Sequence, residues 1–237
     1  LRVLPNLSAE QGLIAESLAY ATLQSGEEHA RWMTSRLPPL EPVAEGAVQV
    51  SRINDCLNVV MDRPWAQNAI DRTMRDGLAE ALQLAALDPT IVRVKLGGAG
   101  RSFSLGADLD EFGTTQDPAM AHHIRRRTLP ALWAVRCAKK LQVHVQGACV
   151  GSGLELAAFA QHLTAGPRAW FQLPELAMGI LPGAGGCVSL TKRMGRQRAA
   201  RLILTGKRLS AREALDWGLI DALVDDPASD DCHSDID

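Results

Sequence analysis

The 237-residue sequence has no surplus of positive charge, no long apolar run and no paired-cysteine motif. Its 25 Lys and Arg against 27 Asp and Glu leave a formal net charge of −2, so no basic field invites nucleic acid or an anionic membrane surface. No stretch approaches the roughly 20 apolar residues that a membrane-spanning helix needs. The N-terminus as given has no signal-peptide core. The five cysteines (Cys56, Cys137, Cys149, Cys187 and Cys232) are scattered, odd in number and form no CxxC. That argues against a disulfide frame or a zinc site and reads as reduced thiols in a cytoplasmic protein.

What is present is ordinary for a globular chain: 46% hydrophobic and 22% charged residues, enough for one domain with an added element. Residues 1–45 form that element. Ser8 and Gln11 have capping-box spacing, and Ile14, Leu18, Ala21 and Leu23 through Trp32 and Met33 predict one or two helices interrupted near Ser25-Gly26. The proline-rich run RLPPLEPVAEG then reads as a linker. The segment is either a packing extension or a cover over a site or subunit contact.

A core domain is expected over 46–225. VQVSRINDCLNVVMDRP predicts two short strands joined at Asn54-Asp55, followed by a turn and an amphipathic helix that ends at Asp88-Pro89. IVRVKLGGAG reads as a buried strand running into a glycine loop. Asp117-Pro118 opens a helical stretch in which the adjacent His122 and His123 point to different faces and cannot share a metal. Arg125–Arg127 reads as a solvated face. CVSLTKRMGRQRAARLILTG has helical periodicity, and Ser210 and Glu213 again have capping-box spacing before a helix ending at Gly218. Residues 226–237 read as an acidic, flexible tail.

The most informative stretch runs from His144 to Gly186. An apolar strand, Leu141–Val145, leads through Gly147, Gly151, Ser152 and Gly153 into an Ala/Leu-rich helix with Glu155 on its first turn. Such a loop aims free backbone N–H groups and a positive helix end at a polarised oxygen. A second carboxylate, Glu175, follows 175 − 155 = 20 positions later in FQLPELAMG. Two carboxylates at a donor-lined pocket make an acid/base pair.

Three motifs occur in order: GxxxGxGxELA, AxFxxPExxxGixPGAGG and LTGxxxxAxEAxxxGLId. With FxxGADLxE at Phe103–Glu111, they make the chain resemble the enoyl-CoA hydratase/isomerase (crotonase) superfamily from about Val48 to Val224. The resemblance implies an α/β crotonase spiral of repeated ββα units, in two roughly perpendicular sheets wrapped by helices, here with an N-terminal helical extension. It implies an acyl-CoA substrate, with no cofactor beyond the coenzyme A of the substrate itself, and a homotrimer or homohexamer.

By the same resemblance, Glu155 and Glu175 are the catalytic pair, and the backbone N–H groups of Leu105 and Ser152 form an oxyanion hole. Ala66, Gln67, Ala107, Asp108, Leu109 and Gly151 fall where relatives meet coenzyme A or substrate, and Arg125–Arg127 could meet its phosphates. Two glutamates favour hydration of a 2-enoyl thioester, with or without isomerisation. Hydrolysis, decarboxylation, cofactor-free dioxygenation and non-catalytic binding of a CoA thioester are the alternatives. Relatives usually continue past the position of Val224 with helices that close the CoA site and build the trimer, whereas the sequence given ends at Asp237.

Overall fold

The structure, a computed structural model, describes residues 1–37, 43–115 and 117–225. The centre of the expected linker and the acidic tail lie outside the described residues.

Two helices open the chain, α1 (Ala9–Gln24) and α2 (Glu27–Ser35). Ser8 and Gln11 form the expected capping box on α1. Of the apolar residues that predicted this helix, however, only Ala21 is fully buried. Leu18 is 51% exposed, and the buried positions are Gly12, Glu16, Ser17, Tyr20 and Ala21. Gly12 lets α1 approach closely, because a Cβ there would sit 2.9 Å from Val188 Cγ2.

Strands β1 (Ala47–Ile53) and β2 (Cys56–Asp62) pair as a hairpin, with Asn54 supplying the positive φ of the two-residue turn. Helix α3 (Arg72–Leu87) is capped by Asp71, whose side chain accepts from Met74 N, and ends before Asp88. It buries Met74, Leu78, Ala81, Leu82 and Ala85, a spacing of three and four that lays one stripe on the sheet. Each fully buried Leu contributes about 1.5–3 kcal/mol.

Strand β3 (Arg93–Gly98) is not buried throughout: Val94 and Leu96 face the core, while Arg93 and Lys95 are exposed. One face of this sheet is therefore apolar and the other polar. Helices α4 (Pro118–Thr128) and α5 (Ala131–Cys137) follow, separated at Pro130, which has no N–H to continue the first.

The remaining strands are shared between two sheets. Strand β4 (Leu141–Val145) is followed by β5 (Ala148–Val150) and α6 (Ser152–Ala157); β6 (His162–Ala165) is followed by β7 (Trp170–Gln172) and a 3₁₀ turn, Glu175–Met178. Then come α7 (Gly186–Met194), α8 (Arg196–Thr205), β8 (Leu209–Ser210), α9 (Ala211–Asp216) and β9 (Ala222–Leu223). The larger sheet has the order β1-β2-β3-β4-β6-β9, parallel except at β1, and the smaller has the order β5-β7-β8. The passes that open with β4–β5 and β6–β7 each place one strand in each sheet, and the second lies one position on from the first in both, which is how a spiral is built. The Ser210–Glu213 capping box is formed on α9.

Candidate active site

The bend between β5 and α6 places the first carboxylate. Gly151 turns the chain at φ 50°, ψ −128°, and a Cβ there would lie 3.0 Å from Glu175 Oε1. Only glycine combines that backbone with that approach. One turn on, Glu155 is 2% exposed, and its Oε2 accepts from Ala184 N at 2.7 Å and Gly186 N at 2.8 Å. Ser189 Oγ donates to the Glu155 carbonyl at 2.8 Å. Glu175 begins the 3₁₀ turn after Pro174, is 7% exposed, and leaves Oε2 buried with no hydrogen-bond partner among the described residues.

Burial pushes the Glu155 carboxyl up to about 7, against the pull of the backbone amides. Burial, and then the neighbouring Glu155 charge, push Glu175 up to about 8. Both line one cavity of about 360 Å³.

The loop Ser104–Asp108 forms the facing wall. Its hydrogen bonds correct one expectation: the Leu105 N–H is spent on Gln67 O at 3.1 Å and is not free for a ligand. Gly106 N donates to Ser104 Oγ at 3.1 Å and Asp108 N to Ile70 O at 2.9 Å. Between them, Ala107 N has no acceptor among the described residues. Ser152 N, at the first turn of α6, has none either, and Ser152 Oγ is buried without a partner. The two loops touch, since a Cβ on Gly106 would be 3.5 Å from Ser152 N. The free donors converging here are therefore those of Ala107 and Ser152.

The N-terminal helices complete the site, which the sequence left open between packing and covering. Glu16, Tyr20 and Gln24 recur every four residues along α1 and so share one face. Glu16 accepts from Gly185 N at 2.6 Å and Cys187 N at 2.8 Å, and burial pushes its carboxyl well up. Tyr20 and Gln24 line the cavity.

So does Arg125, which departs from the reading of Arg125–Arg127 as a solvated face, while Arg126 and Arg127 are exposed as that reading expects. Its guanidinium lies 3.9 Å over the Tyr20 ring and donates to Gln24 Oε1 at 3.1 Å. On the same helix, His122 Nδ1 lies 2.9 Å from Ser17 Oγ, a second tie between α4 and α1. On α2, His29 Nδ1 meets Met178 O at 2.8 Å, which ties that helix to the Glu175 turn.

The comparisons with known proteins agree with this geometry. The family model for enoyl-CoA hydratase/isomerase matches residues 52–232. The chain belongs to that family. Among curated relatives, it is 36% identical over 173 residues to the 2,3-dehydroadipyl-CoA hydratase of Escherichia coli, covering 72% of this chain and 66% of that one. It is 31% identical over 196 residues to the mitochondrial enoyl-CoA hydratase of Pongo abelii, covering 78% and 66%. The chain thus spans just under two thirds of the length of these relatives. The crystal structure of the enoyl-CoA hydratase from Thermoplasma volcanium superposes with a TM-score of 0.65 at 36% identity, over 76% of this chain and 72% of that one. The fold is the crotonase fold that the family implies.

Within that family frame, the structure gathers Leu105, Ala107, Asp108, Leu109, Gly151, Ser152, Glu155 and Glu175 around the cavity and leaves Ala66 and Gln67 off its wall. Asp108 is occupied, too: its Oδ2 pairs with Arg63 Nη1 at 2.6 Å, and Arg63, 2% exposed, also faces Asp71 at 3.5 Å. The Asp108 side chain therefore braces this loop against the Arg63 turn, and a ligand there would meet Ala107 and Leu109. Among the described residues no cluster of His, Cys, Asp or Glu is arranged to hold a metal ion, and no helix is long and apolar enough to cross a membrane. Glu16, Tyr20 and Gln24 were missed; their four-residue spacing on a helix was the available signal.

Proposed function

We propose that the protein adds water across the double bond of a 2-enoyl-CoA thioester, with Glu155 and Glu175 as its acid/base pair. The observation that carries this reading is the convergence of two buried carboxylates and two unspent backbone N–H groups, those of Ala107 and Ser152, on one cavity. The thioester oxygen sits between the two amides. As the β-carbon is attacked, the electrons of the double bond move to that oxygen, and each donor stabilises the enolate by about 3–4 kcal/mol.

Glu155 holds its position through the two amides on Oε2 and, ionised, takes a proton from the attacking water. Glu175 keeps its proton near neutral pH and delivers it to the α-carbon as the enolate collapses. The oxygen–hydrogen bond of water breaks, carbon–oxygen and carbon–hydrogen bonds form, and solvent exchange resets the two carboxyls. No redox partner or resident cofactor enters, coenzyme A being part of the substrate. The family names of the relatives support the same substrate class, and the resemblance supports a homotrimer or homohexamer, which light scattering tests.

The decisive experiment follows the conjugated enoyl absorbance of a short 2-enoyl-CoA. Its loss with purified protein, abolished in Glu155→Gln and Glu175→Gln, is the expected result. An unchanged absorbance at high enzyme concentration overturns the reading.

A further inference from the structure

Arg125 has no ion-pair partner among the described residues. No carboxylate lies within 4.0 Å of its guanidinium among the described residues, its Nε is buried without a hydrogen-bond partner, and its one hydrogen bond goes to the neutral amide of Gln24. The nearby acids do not serve it. Both oxygens of Glu16 accept backbone amides, and Glu155 Oε2 accepts two more. Arg125 lines the same cavity as Glu155 and Glu175. A half-buried guanidinium whose Nε is shut away from solvent without an acceptor costs free energy unless an anion meets it.

The position of Arg125 says which part of a substrate that anion belongs to. Its platform, Tyr20, packs directly on the loop that holds Glu155: a Cβ on Gly183 would lie 2.1 Å from the Tyr20 ring, and the next amide, of Ala184, binds Glu155 Oε2. Substrate atoms that continue past Glu155 therefore run towards Tyr20, Gln24 and Arg125. A purely aliphatic tail would leave this polar wall unmet.

We propose that Arg125, held by Tyr20 and Gln24, is the subsite for a second carboxylate at the far end of the acyl chain. The preferred substrates are thus CoA thioesters of dicarboxylic 2-enoic acids. This rests on the acyl-CoA reading above. It also gives the N-terminal helix a role: α1 supplies the two residues that aim the guanidinium into the cavity. The other anions on such a substrate are the 3′-phosphate and the diphosphate of coenzyme A.

The test uses two 2-enoyl-CoAs of equal length, one ending in a methyl group and one in a carboxylate. The expected wild-type ratio of kcat/KM favours the acid, and Arg125→Met lowers that ratio about 10- to 100-fold, the range for a charge-assisted hydrogen bond. Arg125→Lys, which keeps the charge, retains part of the preference and controls for misfolding alongside a thermal melt. A ratio that favours the methyl substrate, or one that Arg125→Met leaves unmoved, overturns the proposal. So does an Arg125→Met loss that is equal for both substrates and vanishes when 3′-dephospho-CoA thioesters are used, since the anion is then the CoA phosphate. Calorimetric binding of the two saturated acyl-CoAs asks the same question without turnover. If neither enoyl thioester reacts but the acid still binds more tightly through Arg125, the hydration reading fails and the subsite stands.

Discussion

Glu16 and Glu155 divide the amides of one loop between them. Ala184 and Gly186 donate to Glu155, while Gly185 and Cys187 donate to Glu16, so consecutive N–H groups alternate between the N-terminal helix and the candidate catalytic side chain. The loop opens α7, whose positive end both carboxylates face. The seat of Glu155 is thus fixed from two sides, one of them supplied by residues 9–24.

Glu16→Gln should show this. The amide side chain offers one acceptor oxygen where the carboxylate offered two, so either Gly185 N or Cys187 N is left buried without a partner. A loss of about 1–3 kcal/mol in stability is expected, with kcat falling more than KM changes, because Glu155 is loosened rather than the substrate. Chemical denaturation and steady-state kinetics measure both. A variant with wild-type stability and kcat would show that the alternation has no mechanical consequence.

Gly151→Ala probes the opposite side of the site. Its φ of 50° disfavours any Cβ, and the added carbon would sit 3.0 Å from Glu175 Oε1. Strain of about 1–3 kcal/mol, together with a displaced Glu175, should lower kcat at least tenfold while the chain still folds. An alanine variant of full activity would mean that Glu175 need not lie so close to this turn.

Local features were legible in the sequence and distant ones were not. The Asn54-Asp55 hairpin and both capping boxes depend on residues three or fewer positions apart, and each formed where the spacing placed it. Glu155 and Glu175 were visible through their motifs. The error at Leu105 arose from a hydrogen bond to Gln67 O, 38 positions away (105 − 67 = 38), which no local pattern records. Arg125 meets Gln24 across 101 positions, and a run of three arginines on a helix reads as solvent-facing until that partner is known. On α1 the buried face is a polar one, so hydrophobic periodicity pointed away from it.

The raised carboxyls also set how stability depends on pH. Glu155 and Glu175 titrate at about 7 and about 8 in the folded chain against an ordinary value of 4.5. Their contribution is fully present below pH 4.5 and is lost as pH rises through the two folded values, because the unfolded chain has by then given up protons that the folded one still holds. The melting temperature should therefore fall between about pH 5 and pH 8, and Glu175→Gln, which cannot ionise, should flatten that fall. A melting temperature that rises over this range, or a slope untouched by the substitution, would contradict the assignment.

The same two groups should shape the rate. In the free enzyme, kcat/KM needs Glu155 ionised to accept a proton from water and Glu175 protonated to supply the α-carbon. Activity should rise through about pH 7, as Glu155 loses its proton, and fall through about pH 8, as Glu175 loses its own. Because each charge acts on the other, the two limbs belong to the pair and should move together when either member is replaced. Glu175→Gln keeps size and hydrogen bonding but has no proton to give, so the falling limb should disappear and kcat drop about 100- to 10,000-fold. Glu155→Gln should remove the rising limb with a loss in the same range. Binding of a saturated acyl-CoA, which needs no proton transfer, should change little in either variant. Should Glu175→Gln hydrate a 2-enoyl-CoA at the wild-type rate, a carboxylate pair is excluded, and the reaction at this site must be one that a single base at Glu155 can carry, such as migration of the double bond.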